Sequence, residues 1–220
     1  AGPNRIAPSP MTEPLMACSK NFPRTTYNHN VVVMWLLKLS TGMADSIWSG
    51  TVLASYLYEL MGQSNSYAGY VEAAQGVASL VVALPIGWLA DRGSKSRIIA
   101  SGGLLLPVAV GATSFAVIFG VEHPDETSRS FAMFIGALCL WGAVQSIQNG
   151  PAQALYADST AAGERSKFYQ ISFALYLCAS VLGPVLSIVL FVLHGDTWDL
   201  VSLRNVFLVG MGLELLAGLA

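Results

Sequence analysis

The stretch Gly87 to Arg97, GWLADRGSKSR, decides the fold. A long apolar run containing Pro85 precedes it and a second follows, so Asp91, Arg92, Lys95 and Arg97 crowd into a connection too short to be a domain. Such a connection reads as a tight hairpin between two buried helices. The whole chain agrees: 54% of its 220 residues are hydrophobic and only 11% charged, with a mean hydropathy of +0.56. That leaves too little polar surface to cover a soluble globule of this size, and a bilayer is the environment that fits. A formal net charge of −2 gives a nucleic-acid partner no electrostatic support.

Outward from the hairpin, six apolar stretches cover roughly Val33–Leu60, Tyr67–Ala90, Ile98–Val121, Phe131–Ala157, Phe168–Leu193 and Val206 to the end. The third, fourth and fifth carry no charged residue and meet the length of about 20 residues that a helix needs to cross the hydrocarbon layer. Only fifteen residues follow Asn205, so the sixth span reads as truncated. Residues 1–30 hold Pro3, Pro8, Pro10, Pro14 and Pro23 among small polar residues, the composition of a disordered tail. Cys18, Cys139 and Cys178 form no disulfide framework and read as small packing residues.

Eight of the eleven basic residues lie in the tail or in the second and fourth connections: Arg5, Lys20, Arg24, Arg92, Lys95, Arg97, Arg165 and Lys167. Arg129 and Arg204 fall on the other side, and Lys38 is expected to snorkel toward the tail. This bias predicts a cytoplasmic N-terminus.

Polar residues within the spans mark the candidate site. At 1.5 Å per residue, Asp45 sits about 18 Å into the first helix, where an ionised carboxylate costs about 2.5–3.5 kcal/mol. It is expected to face protein or water, as a substrate or proton site or as a structural carboxylate. Gly42, Asp45, Ser49, Val52 and Tyr56, spaced by three and four, predict one partly polar face. The fourth helix offers Gln145, Gln148 and Asn149 on one face with Trp141 a turn earlier. Those amides can bind a polar ligand or fasten neighbouring helices. Glu214 is a second buried acid. Gly69, Ala73, Gly76, Ser79, Ala83, Gly87 and Ala90 form a stripe of small residues, and glycine or proline at 102, 103, 107, 111, 150 and 151 predicts kinks or close approaches.

Gly87, Leu89, Ala90, Asp91, Arg92 and Lys95 resemble the G-x-L-A-D-R-x-G-R/K-R/K signature between the second and third helices of major facilitator superfamily transporters; Ser94 and Ser96 depart from it. Asp158, Gly163, Glu164 and Arg165 resemble the A-D-x-x-x-x-x-E-R pattern of the fourth connection. Gly183 and Pro184 resemble the G-P core of the antiporter motif, while the fourth-helix arginine of proton-coupled drug antiporters has no counterpart. The resemblance implies the N-terminal half of a twelve-helix carrier, partnered by a C-terminal half. Opposite charges on Asp91, Arg92, Lys95, Asp158, Glu164 and Arg165, with Gly87 at the hairpin, can form a charge-assisted cytoplasmic gating network or only set topology; the resemblance implies that Asp91 also meets a helix N-terminus of that second half and latches the outward-open state.

The sequence therefore reads as an all-α membrane protein: a six-helix bundle built as two inverted three-helix repeats, residues 31–220. The function read is secondary transport of a small polar solute by alternating access. A six-helix channel, a half-size oligomeric transporter and a non-transporting sensor are the alternatives. No P-loop, GxSxG or HExxH motif supports an enzyme, and no cofactor or metal is expected. The natural reading frame is predicted to carry about six further spans, as inverted-repeat carriers do; sequencing the complete transcript checks this, and a frame ending soon after Ala220 would favour the half-size alternative.

Overall fold

The computed structural model describes residues 29–160, 163–193, 195 and 197–219. The expected tail, including Arg5, Cys18, Lys20 and Arg24, lies almost wholly outside them. Seven helices follow in order: α1 His29–Trp48, α2 Thr51–Leu60, α3 Ser66–Arg92, α4 Lys95–Glu122, α5 Thr127–Asp158, α6 Arg165–Leu193 and α7 Leu200–Leu219. With α1 and α2 joined, they make six helices long and apolar enough to cross a membrane. No strand occurs among the described residues. Helices continue through Pro85, Pro107, Pro151 and Pro184.

Two boundaries differ from the sequence expectation. The first span is broken, not continuous. The Ser49 N–H closes the last turn of α1 on the Asp45 carbonyl at 2.9 Å, and the Ala54 N–H opens α2 on the Gly50 carbonyl at 2.9 Å. Between them Gly50 takes φ 65°, a left-handed conformation that costs glycine little. The sixth span begins at Leu200, six residues before Val206. Asp199 starts it: the Leu203 N–H bonds the Asp199 carbonyl at 3.0 Å, and the Thr197 hydroxyl donates to the Asp199 carboxylate at 2.7 Å. Hydroxyl bonds from Ser202 and Thr197 hold that carboxyl below the ordinary carboxylate range. The 20 residues of α7 rise about 30 Å at 1.5 Å each.

The packing is that of two inverted repeats. α6 lies along α1 as α3 lies along α5; α7 packs on α1 as α4 packs on α5; α4 and α7 meet each other. Exchanging α1–α2 with α5, α3 with α6 and α4 with α7 leaves these pairings unchanged. The repeats also share sequence. Gly42–Gly50, GMADSIWSG, and Gly142–Gly150, GAVQSIQNG, agree at Gly42/Gly142, Ser46/Ser146, Ile47/Ile147 and Gly50/Gly150.

Matching residues make matching contacts. A Cβ on Gly42 would lie 3.0 Å from Ala179 Cβ of α6, and one turn on a Cβ on Gly183 of α6 would overlap the Ser46 hydroxyl and come within 2.7 Å of Ser46 Cβ. The Ser46 hydroxyl donates to the Ala179 carbonyl at 3.2 Å. In the other repeat a Cβ on Gly142 would overlap the Gln75 carbonyl and lie 3.2 Å from Ala78 Cβ, and Ser146 donates to the Ser79 carbonyl at 2.7 Å. On the opposite flanks, Gly102 approaches Ile147 and Gln148, as Gly210 approaches Ile47 and Trp48. Small residues let these backbones close up where lipid gives no hydrophobic drive between helices, so dispersion and hydrogen bonds hold the bundle.

The core fills the half of the bundle away from the charged hairpin. Tyr56, fully buried, lies 5.4 Å from Phe134 and 6.2 Å from Phe207 between ring centroids, and Trp48 lies 5.4 Å from Phe207. Each such pair contributes about 0.5–1.5 kcal/mol beyond its buried area. Leu80, Val81 and Leu84 of α3 and Val181, Ile188 and Val192 of α6 point outward, as a bilayer-embedded surface requires.

Gly183→Val is predicted to destabilise the protein by about 1–3 kcal/mol through overpacking against Ser46. Gly136→Ala, at a helical glycine with nothing within 4 Å, should hold or raise stability by about 0.5–1 kcal/mol. Thermal unfolding in detergent distinguishes the two; equal melting temperatures would deny the close crossing.

Candidate functional site

On the hairpin side of the aromatic core, α1, α4, α5, α6 and α7 enclose a cavity of about 450 Å³. Asp45, Trp141, Gln145, Gln148 and Asn149 all line it, together with Lys38, Tyr176 and Glu214. The amide spacing on α5 accounts for half of this arrangement, since three- and four-residue steps stack on one helical face. The Gly42 and Gly142 crossings account for the rest, because they set the mates Asp45 and Gln145 toward each other across the repeat interface.

Two residues expected beside Asp45 are placed differently. Tyr56 leaves the face because the Gly50 break resets the helical phase. Its hydroxyl donates to the Val117 carbonyl at 2.8 Å inside the aromatic core. Ser49 stands at the broken end of α1, within hydrogen-bonding reach of Asp45 but outside the cavity lining. Lys38 also differs: instead of reaching toward the tail, its ammonium donates to the Asn149 side-chain oxygen at 3.2 Å, within the cavity.

The floor is rigid. Trp141 is 3% exposed; its indole N–H donates to the Thr113 hydroxyl at 2.9 Å, which donates to the Ala109 carbonyl at 2.8 Å. The Trp48 ring stands 5.1 Å from that of Trp141, so two indoles separate the cavity from the core below. Glu214, 5% exposed, is the residue whose importance the sequence understates. Its Oε2 is fully buried and has no hydrogen-bond partner among the described residues, and it lines the same cavity as Asp45. The Asp199 helix start is the signal that locates it, because it sets α7 in register through the membrane.

At the hairpin end the second and fourth connections meet. Lys95 Nζ lies 2.5 Å from Asp158 Oδ2, joining the first residue of α4 to the last of α5. Arg165 is close enough for its charge to act on Asp158. Asp91 and Gly87 border a neighbouring hollow of about 450 Å³ that includes Lys95, Ser146 and Pro151. Arg92 takes another partner: its guanidinium lies 4.1 Å over the Trp88 ring. The Glu164 carbonyl accepts the Phe168 N–H at 3.2 Å and so opens α6. Ala161 and Ala162 within the fourth connection, and His194 and Asp196 at the far end, lie outside the described residues. Gly183 is the α1–α6 crossing itself, and Pro184 follows it within α6.

The six membrane-spanning helices make this an integral, multi-pass membrane protein. A family model described as Major Facilitator Superfamily matches residues 34–220. No solved structure matches the chain. The family match covers the described bundle almost end to end, and the charged hairpin, the inverted repeats and the cavity between them are the features expected of one carrier half; the chain belongs to the major facilitator superfamily of membrane transporters.

Proposed function

We propose that the protein is a secondary transporter that moves a small polar solute by alternating access. This six-helix unit rocks against a second six-helix half of the same protein. The observation that carries the reading is the convergence of Asp45, Gln145, Gln148, Asn149 and Glu214 from α1, α5 and α7 on one cavity. Polar groups at membrane depth are costly, and their clustering in a cavity marks a pathway. The volume is within the range of small-molecule sites, roughly 300–1,000 Å³.

The bundle is unevenly packed in a way that suits gating. Rings of Trp48, Tyr56, Phe134 and Phe207 fill its far end, while the cavity extends along Met34, Lys38, Ile99 and Ala152 toward the charged hairpin. The bias of Arg92, Lys95, Arg97, Arg165 and Lys167 to that end supports its placement in the cytoplasm. The Lys95–Asp158 pair leaves its side chains 29% and 59% exposed. A solvent-screened pair of this kind adds little to stability and can break and re-form as the halves rock. In this proposal Asp91 meets a helix N-terminus of the second half and favours the outward-open state through that helix's dipole.

Spin labels placed on this half at Lys167 and at Thr127, each paired with a label on the second half of the full-length protein, test the cycle without a known solute. Alternating access predicts anticorrelated distances: one end lengthens as the other shortens. A channel would show both ends fixed or opening together. Asp91→Asn is expected to shift the population away from the outward-open state about two- to fivefold, matching a dipole term of about 0.3–1 kcal/mol; an unchanged distribution removes Asp91 from the latch.

In the same proposal Asp45 carries a proton, a role supported by its position on the cavity wall at membrane depth. Solute transport by the reconstituted full-length protein across a pH gradient should lose its pH dependence in Asp45→Asn. Unchanged dependence would take Asp45 out of the coupling role.

A further inference from the structure

The pseudo-symmetry of the cavity is broken in charge. Across the repeats Asp45 corresponds to Gln145, and the Gly102/Gly210 match places Leu106 opposite Glu214. Both carboxyls therefore come from the adjacent helices α1 and α7, while α5 supplies only amides. One wall is acidic and the facing wall is neutral and polar. The ionisable groups facing the acids are few. Lys38 on α1 and Tyr176 on α6 line the cavity, and α4 and α5 bring no ionisable side chain to it.

Lys38 does not neutralise the acids. Its ammonium is bonded to Asn149, and no ion pair joins it to Asp45 or Glu214 among the described residues. Glu214 Oε2 is buried without a donor among the described residues, although a buried carboxyl oxygen needs a hydrogen-bond partner to offset its desolvation. Two carboxyls, one engaged ammonium and an unpartnered oxygen favour a ligand that brings positive charge and N–H donors.

We propose that the transported solute carries a protonated amine, which docks between Asp45 and Glu214 while its neutral polar end is read by Gln145 and Gln148. An ammonium brings three donors and the missing charge to the acidic wall. An anion would meet two carboxyls, and a neutral solute with fewer N–H donors would satisfy the acidic wall less fully. The proposal rests on the cavity being the solute site.

The test compares three probes of similar size, each with a neutral hydroxyl at the end away from the varied group: 4-hydroxybenzylammonium, 4-hydroxybenzyl alcohol and 4-hydroxybenzoate, for binding to the full-length protein in nanodiscs at about pH 7 by titration calorimetry. The ammonium is expected to bind at least about tenfold more tightly than the alcohol, with the benzoate not binding. Glu214→Gln and Asp45→Asn should each weaken ammonium binding about tenfold or more, as loss of a charge-assisted hydrogen bond implies. Thermal unfolding shows whether each variant is folded, and Asp45→Asn decides if Glu214→Gln is not. Equal or tighter binding of the alcohol or benzoate, unchanged ammonium binding in the folded variants, or no binding by any probe would overturn the amine assignment. The carrier reading is judged separately by the spin-label distances, which need no ligand.

Discussion

The structure depends on how closely two pairs of helices cross. At Gly183 the backbone of α6 comes against Ser46, and at Gly142 the backbone of α5 comes against α3, with a serine hydroxyl closing each contact on a neighbouring carbonyl. Within a bilayer no hydrophobic gain separates helix–helix from helix–lipid contact. Close approach, with its dispersion and hydrogen bonds, is what remains to fix the arrangement. Two related crossings, made by one short sequence motif used twice, set the six helices in two inverted sets of three.

The cavity is a consequence of that arrangement. With Gly42 and Gly142 turned toward their packing partners, Asp45 and Gln145, three residues further along each helix, face the space between the repeats. Glu214 joins them because α7 lies against α1. The paired indoles of Trp48 and Trp141 then close the cavity on one side, with the filled aromatic core beyond them. Acidic residues on one wall and amides on the other give the space a polarity that neither repeat alone would have.

Much of this is legible in the residues. The hairpin charges, the six apolar runs and the amide face on α5 all follow from composition and period, and the structure keeps Asp91, Lys95 and Asp158 at one end. The break in the first span is harder to read, because no proline marks it. A glycine inside an apolar run looks the same whether it packs closely or takes a left-handed turn, and tertiary contacts at Tyr56 decide which. The repeated G-x-x-D/Q-S-I-x-S/N-G motif is present in the chain but stands out only once α1 and α5 are superposed as mates. Glu214 gains its depth from the Asp199 helix start, a local signal that hydropathy alone passes over.

Side chains one repeat apart converge on a cavity inside the membrane, and access of water to it is the property on which the transporter reading turns. Cysteine substitution along α5, in a background with Cys18, Cys139 and Cys178 replaced, tests this most directly when read with a water-soluble, positively charged thiol reagent. The account predicts modification at positions 145, 148 and 149, and protection at Ile147, which packs against Gly102. Protection at all four positions, or modification at Ile147 alone, would contradict it.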